Sequence, residues 1–233
     1  MPLTFRKRPL TPQRVTKMIF KTIAALIIIT TCAILFFRIF SMGVPSNFKK
    51  FLYTEEAVAA KEKNPDFLVK TFTPLDTIDE KGYYSLSDAA FCPGAGEVQF
   101  VFRYNTRSTV NALKDAYRLD KLPDGELFIF ILHDDCGNTY TSYRYASASR
   151  TMNEFRRVIF DGVSFENVHA FTVDIYYRLD VSDESPMGAT FTLWNEKLPF
   201  DESRPAKVKP STLSLRATPD YENHLTKKEE MTE

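Results

Sequence analysis

No acidic residue precedes Glu55, although the 233-residue chain carries 30 acidic and 30 basic side chains. The formal charge balance hides a segregation into a purely basic front and a mixed remainder. The remainder shows no basic stripe, so nucleic acid is not an expected partner there. Histidine is scarce: His133, His169 and His224 are the only three. No G-x-S-x-G, H-E-x-x-H, P-loop or G-x-G-x-x-G pattern occurs, so no catalytic or nucleotide-binding constellation is written in one stretch. There is no internal repeat.

Cysteine is equally sparse, with Cys32, Cys92 and Cys136 alone. Cys32 falls in an apolar run, where a small apolar filler is the simple account and palmitoylation the rival one. Cys92 and Cys136 are the candidate disulfide. Such a bond would close a loop of about 45 residues and stabilise by roughly 4 kcal/mol in the chain-entropy model. Joined with His133 and His169 they would make a Cys₂His₂ set, but the spacings match no zinc ribbon or finger, so no metal and no cofactor is expected.

What the chain does have is one long apolar stretch, Ile19 to Met42, interrupted only by Lys21 and Arg38. About 21 helical residues span roughly 31 Å, the hydrocarbon thickness of a bilayer. A buried core helix of this length would show a polar stripe, and this one does not. A cleaved signal peptide is the closer rival, since Ser41 and Gly43 give a small-x-small pattern. The run is longer than an h-region, which favours an uncleaved anchor. Arg6, Lys7, Arg8, Arg14, Lys17 and Lys21 lie before or at its start, against Arg38, Lys49 and Lys50 after it. The N-terminus is therefore expected in the cytoplasm and the remainder outside. The basic leader, residues 1–18, suits anionic headgroups beside residues 19–42 in the lipid bilayer.

Residues 43–65 read as a membrane-proximal connector. Thr54 caps a predicted helix over 55–63, with acids in its first turn and lysines in its last. Its weakly apolar face predicts a spacer. From Asp66 the period changes to two. Stretches 67–75, 82–91, 97–105, 126–132, 139–146, 153–161, 168–178 and 189–195 read as strands. In 97–105, Val98, Phe100, Phe102 and Tyr104 should face the core, and Glu97, Gln99, Arg103 and Asn105 the solvent. Stretch 126–132 suits a strand covered on both faces. Ser108 starts a predicted helix over 108–119, and His133 to Asn138 is a predicted hairpin turn. Asp134, Asp135 and Asn138 offer oxygens for Ca²⁺, but turn chemistry explains them without an EF-hand pattern. Prolines 199, 205, 210 and 219 with interspersed charge predict a disordered tail over 197–233.

This is the signature of a mainly β chain: an antiparallel β-sandwich over 66–196, immunoglobulin-like in architecture, behind one transmembrane helix. The Cys-Trp-Cys order of true immunoglobulin domains is missing, because Trp194 follows both cysteines. Tyr140, Tyr143, Arg144 and Tyr145 are the candidate recognition residues, since tyrosine and arginine are enriched in interfaces. Sheet propensity and cross-strand packing account for the same residues. Three functions compete. The first is a non-catalytic binding or structural module with a membrane or cell-envelope protein partner. The second is an exported hydrolase whose site is assembled only in space. The third is a carbohydrate-binding domain with a tyrosine platform.

Overall fold

The computed structural model describes residues 12–64 and 66–219, in two units divided between Gly43 and Val44. The first unit is one helix, α1 (Pro12–Met42). Within it Val15–Phe37 is long and apolar enough to cross a membrane, and none of that window is buried in the protein. Thr22, Thr30 and Thr31 turn their hydroxyls back onto the carbonyls of Met18, Leu26 and Ile27 at 2.9, 2.8 and 2.8 Å. That removes most of the polar cost of threonine in an apolar run. The helix starts earlier than Ile19, because Pro12 suits a first helical position and extending a helix needs no new nucleus. The rest of the basic leader, 1–11, lies outside the described residues.

The second unit is mainly β. Its strands are β1 (Val69–Phe72), β2 (Tyr84–Cys92), β3 (Glu97–Asn105), β4 (Phe128–Asp134), β5 (Thr139–Tyr140), β6 (Tyr143–Ser149), β7 (Asn153–Phe160), β8 (Ala170–Tyr177), β9 (Ala189–Asn195), β10 (Asp201–Ser203) and β11 (Arg216–Ala217). Two short helices accompany them, α2 (Glu55–Lys63) and α3 (Ser108–Tyr117). The strands build two antiparallel sheets, ordered β10-β1-β2-β3-β7-β6-β11 and β5-β4-β8-β9.

The inner faces of the two sheets share one core. Phe102 of β3 meets Phe128 and Phe130 of β4 at ring distances of 5.3 and 5.0 Å, and Phe91 of β2 meets Phe171 of β8 at 5.2 Å. On β8 the predicted alternation holds, with Phe171, Val173, Ile175 and Tyr177 buried. The predicted strand 139–146 is instead two strands in different sheets, with Thr141 and Ser142 between them. At α3 the first amides are satisfied by the Asn105 carboxamide, which accepts from Arg107 N and Ser108 N at 3.0 and 2.9 Å. Ser108 is therefore not the cap.

The outer face of the seven-stranded sheet is where sequence and structure part. It is not open to solvent: Glu97, Gln99, Val101 and Phe155 are all fully buried there. The cover comes from both flanks of the unit. Val44 and Phe48, together with Leu213 and Leu215, pack against Val101, Ala146 and Phe155. Phe51, Tyr53 and Ala57 pack against Phe67, Val69, Ala90 and Cys92. The expected spacer is thus a packed layer. The expected disordered tail supplies two edge strands, β10 against β1 and β11 against β6, over its described part.

Candidate functional site: a latched strap and the groove beside it

Residues 44–57 form a strap across the outer face of β3, β7 and β6. Four side chains on these strands bracket it at successive points. At the first, Arg157 of β7 donates from Nη1 to the carbonyl of Phe48 at 3.2 Å. The same nitrogen reaches the carbonyl of Asp88 at 2.5 Å. Asp88 sits in the bulge of β2 between Ser87 and Ala90, with φ at 46°. The bulge turns its carbonyl out of the ladder and toward the guanidinium. At the second, Gln99 of β3 accepts from Leu52 N at 3.1 Å and donates to Leu52 O at 2.8 Å. At the third, the Thr54 hydroxyl donates to the Glu97 carboxylate while also accepting from Ala57 N at 3.1 Å as the cap of α2. At the fourth, Arg144 of β6 grips Glu56 at 2.8 Å and Asp161 at 2.8 and 2.6 Å.

The brackets are linked to one another. Gln99 also donates to Glu97 at 3.0 Å, and Arg157 donates to Gln99 Oε1 at 3.0 and 3.3 Å. Burial of a charge costs several kcal/mol unless partners offset it, and here the network supplies those partners. Burial pulls the Arg157 guanidinium down to about 10, partly opposed by Asp88 and Glu97, so it remains cationic at neutral pH. Burial pushes the Glu97 carboxyl up to about 7, although hydrogen bonds from Thr54 and Gln99 act the other way. Arg144 is pushed up, first by the Asp161 hydrogen bond and then by Glu56, which keeps it charged.

Beside the strap, its cover of the sheet is incomplete and leaves a groove of about 930 Å³. That is near the upper end of ordinary ligand sites, roughly 300–1,000 Å³. Its floor is the outer face of β1 and β2, with Val69, Thr71 and Ala90, and with Asp88 and Arg157 at one end. One lip is the strap, with Lys49, Lys50, Phe51 and Tyr53. The other is the tail, with Pro199, Phe200 and Lys209. The lips meet where Ser211 N donates to Tyr53 O at 2.9 Å. The groove therefore depends on the latch, because the strap that walls it is held by Arg157, Gln99 and Glu97.

The residues singled out from sequence are not brought together as a surface. Tyr143 and Tyr145 are core side chains, 1% and 5% exposed, and the Tyr143 ring packs on Phe130 and Phe160 at 5.4 Å each. Their strand alternates as a half-buried strand should, but its tyrosines take the inner face. Tyr140 is half-buried; its hydroxyl donates to Asp134 at 3.0 Å and accepts from Ser164 N at 3.2 Å. Of the four, only Arg144 belongs to the site. The disulfide is not formed: Cys92 is buried among Phe67, Val69 and Ala90, and Cys136 is exposed in the β4–β5 turn. Burial pushes the Cys92 thiol up to about 12. Both thiols are free.

The acidic turn does turn chemistry. Asp134 accepts from Cys136 N, Asn138 N and Asn138 Nδ2 at 3.0, 2.8 and 2.8 Å. Gly137 takes the φ of 91° that a side chain would resist. Among the described residues no cluster of three or more His, Cys, Asp or Glu could hold a metal.

Sequence reasoning missed Arg157, Gln99, Glu97 and the groove. One signal was present. Two adjacent arginines stand between Phe155 and Val158 in the strand Asn153–Phe160, whose remaining residues after Glu154 are all apolar. Neighbours on a strand point to opposite faces, so a strand covered on both sides must bury both and give each partners. Arg156 does so on the inner side, 2.7 Å from Glu126. Arg157 does so under the strap. Searches of protein-family models, curated proteins and solved structures gave no match to this chain.

Proposed function

We propose that this is a single-pass membrane protein, N-terminus in the cytoplasm, that presents a β-sandwich outside as a non-catalytic binding module. The groove between strap and tail is its recognition site. The orientation rests on the basic residues crowded before the apolar run. The sandwich reading rests on the shared core of the two sheets. It is not an immunoglobulin arrangement in detail, since β3 stays beside β2 where an immunoglobulin domain sends its third strand to the other sheet. The observation that carries the binding reading is the groove itself. Three segments distant in sequence converge to wall it, and a buried charged network holds one of them in place. Such expensive positioning is what a preformed site requires.

The test is a photo-crosslinking residue at position 71, in the groove floor, in full-length protein in its own membranes. A discrete crosslink to a membrane or envelope component is expected, and Thr71→Trp should abolish binding of that component without changing the melting temperature. Crosslinks confined to the chain itself would reject the site.

A second reading has one specific observation behind it. On the outer face of the four-stranded sheet, His133 lies 3.1 Å from the Thr139 hydroxyl and 3.1 Å from Asp174, which also accepts from Thr190 at 2.6 Å. A hydroxyl, an imidazole and a carboxylate in series are the parts of a hydrolase relay. They lie on a sheet face outside the groove. Hydrolysis of an ester or peptide that is lost in His133→Ala would favour this reading over the module. A sugar platform built on Tyr143 and Tyr145 has no basis, because both rings are buried.

A further inference from the structure

The lips of the groove carry a charge pattern that the latch does not use. Lys49 and Lys50 on the strap and Lys209 on the tail are exposed, and none has an ion pair among the described residues. Two carboxylates also line the groove. Asp88 lies at the floor near the Arg157 guanidinium and accepts from the Ser87 hydroxyl at 2.8 Å, so its charge is locally offset. Asp201 on β10 stands alone against three lysines. The rim is thus net cationic.

Its walls are aromatic. Phe51 and Tyr53 stack edge to face at 5.0 Å on the strap side, and Phe72 and Phe200 line the groove with them. Of these rings Tyr53 is amphipathic, and lysines beside it and the three phenylalanines suit the water–hydrocarbon boundary, where amines and the phenol meet phosphates and the rings meet glycerol and upper acyl chain.

The chain itself supplies the source of anion. Lys49 follows Met42, the last residue of α1, by seven positions. Fully extended chain covers at most about 3.5 Å per residue, so that tether is no longer than about 25 Å. A protein held by α1 in a bilayer carries Lys49 and Lys50 within reach of headgroups wherever it diffuses, whereas any soluble anion must be bound from dilution. We propose that the groove binds the phosphate headgroup of an anionic phospholipid from the bilayer that anchors the chain, with Lys49, Lys50 and Lys209 as its cationic contacts. This rests on the groove being a recognition site and names its ligand.

The experiment uses full-length protein in nanodiscs of phosphatidylcholine, alone or mixed with phosphatidylglycerol. A trace of phosphatidylglycerol bearing a photoreactive headgroup is included, and crosslinked peptides are read by mass spectrometry. Crosslinks are expected in 47–53 and 198–211 and should strengthen severalfold when unlabelled bilayer lipid is phosphatidylcholine only, because competitor is then absent. Each lysine should contribute about fivefold, so K49E/K50E/K209E should lose more than tenfold of the yield. The triple glutamine variant, which adds no repulsion, decides the matter if the charge reversal does not fold. Unchanged yield in the variant that folds would overturn the proposal. So would a label carried on phosphatidylcholine crosslinking equally well. Displacement by soluble glycerol phosphate would mark a small-anion site, and displacement by polyglutamate an acidic-peptide groove; either rejects the lipid. Failure here with retained position-71 crosslinks to another component leaves the module standing, whereas loss of both rejects the site.

Discussion

The Gln99 side chain pairs with both backbone groups of Leu52, as a neighbouring peptide group would. Its carboxamide accepts from Leu52 N at 3.1 Å and donates to Leu52 O at 2.8 Å, 47 residues away in sequence. An irregular segment lying on top of a sheet has no neighbour to pair with, so its backbone groups need partners from below. A carboxamide offers the donor and the acceptor of a peptide group at the right separation. Arg157 does the same for Phe48 O. The strap is thereby fixed at Phe48 and Leu52 through its main chain, and at Thr54 and Glu56 through side chains.

Removing Arg157 should release the strap. Arg157→Met keeps most of the volume but leaves Phe48 O, Asp88 O and part of Gln99 without their donor. A loss of about 3 kcal/mol in unfolding free energy is expected by urea titration. Amide exchange at Leu52 should accelerate more than at β4. Equal protection at Leu52 would show that apolar packing alone holds the strap.

Glu97 makes stability fall as pH rises. Its folded-state value of about 7 stands above the ordinary 4.5 of a glutamate, so the folded protein binds the proton more tightly than the unfolded chain. The contribution is full below about pH 4.5 and is lost as pH climbs through 7, amounting to about 3 kcal/mol at most. Thermal melts of wild type and Glu97→Gln should diverge across that window, with the glutamine variant losing this slope. Identical pH profiles would refute the assignment.

The tail is a structural part of the domain. Truncation after Ser203 removes β11 and the half-buried Leu213 and Leu215 from the cluster around Phe155. It also removes the Thr218 hydroxyl, which accepts from Tyr143 N at 2.6 Å. A cost of about 2–3 kcal/mol is expected, read as a fall of several degrees in melting temperature. An unchanged melt would show that residues after Ser203 add nothing to the stability of the fold.

The cysteines should differ sharply in reactivity. In native protein, iodoacetamide should modify exposed Cys136, and Cys92 only after denaturation, since the buried thiol is pushed up to about 12. A Cys92–Cys136 linked peptide under non-reducing conditions would overturn this. Tyr143→Ala should cost about 3–5 kcal/mol as a core truncation, which a binding-surface residue would not.

Local signals were legible and remote ones were not. The strands 97–105 and 189–195 and the helix 55–63 with its Thr54 cap have the bounds that their own residues predict. Period two sorted the faces of β3 correctly. It could not say that the second face is covered, because the cover comes from Phe48 and Leu52, two apolar residues in an irregular segment with no period to read. Glu97 and Gln99 looked solvent-facing because they are polar, yet they are polar to hold that segment. Proline masked the tail for a related reason. Strands of two or three residues at sheet edges need little propensity, and proline-broken chain can supply them. The groove has no local signature, since its walls lie up to about 160 positions apart in the chain.

Both margins of the larger sheet, β10 and β11, are made from residues 201–217. During synthesis the inner strands are complete long before either margin exists. The nascent chain must then carry an open-edged sheet, with unpaired amides on β1 and β6, until residues 201–217 emerge. Closure of this sheet is tied to emergence of residues 201–217 rather than of its core, and the interval between them is when neighbouring chains can pair edge to edge.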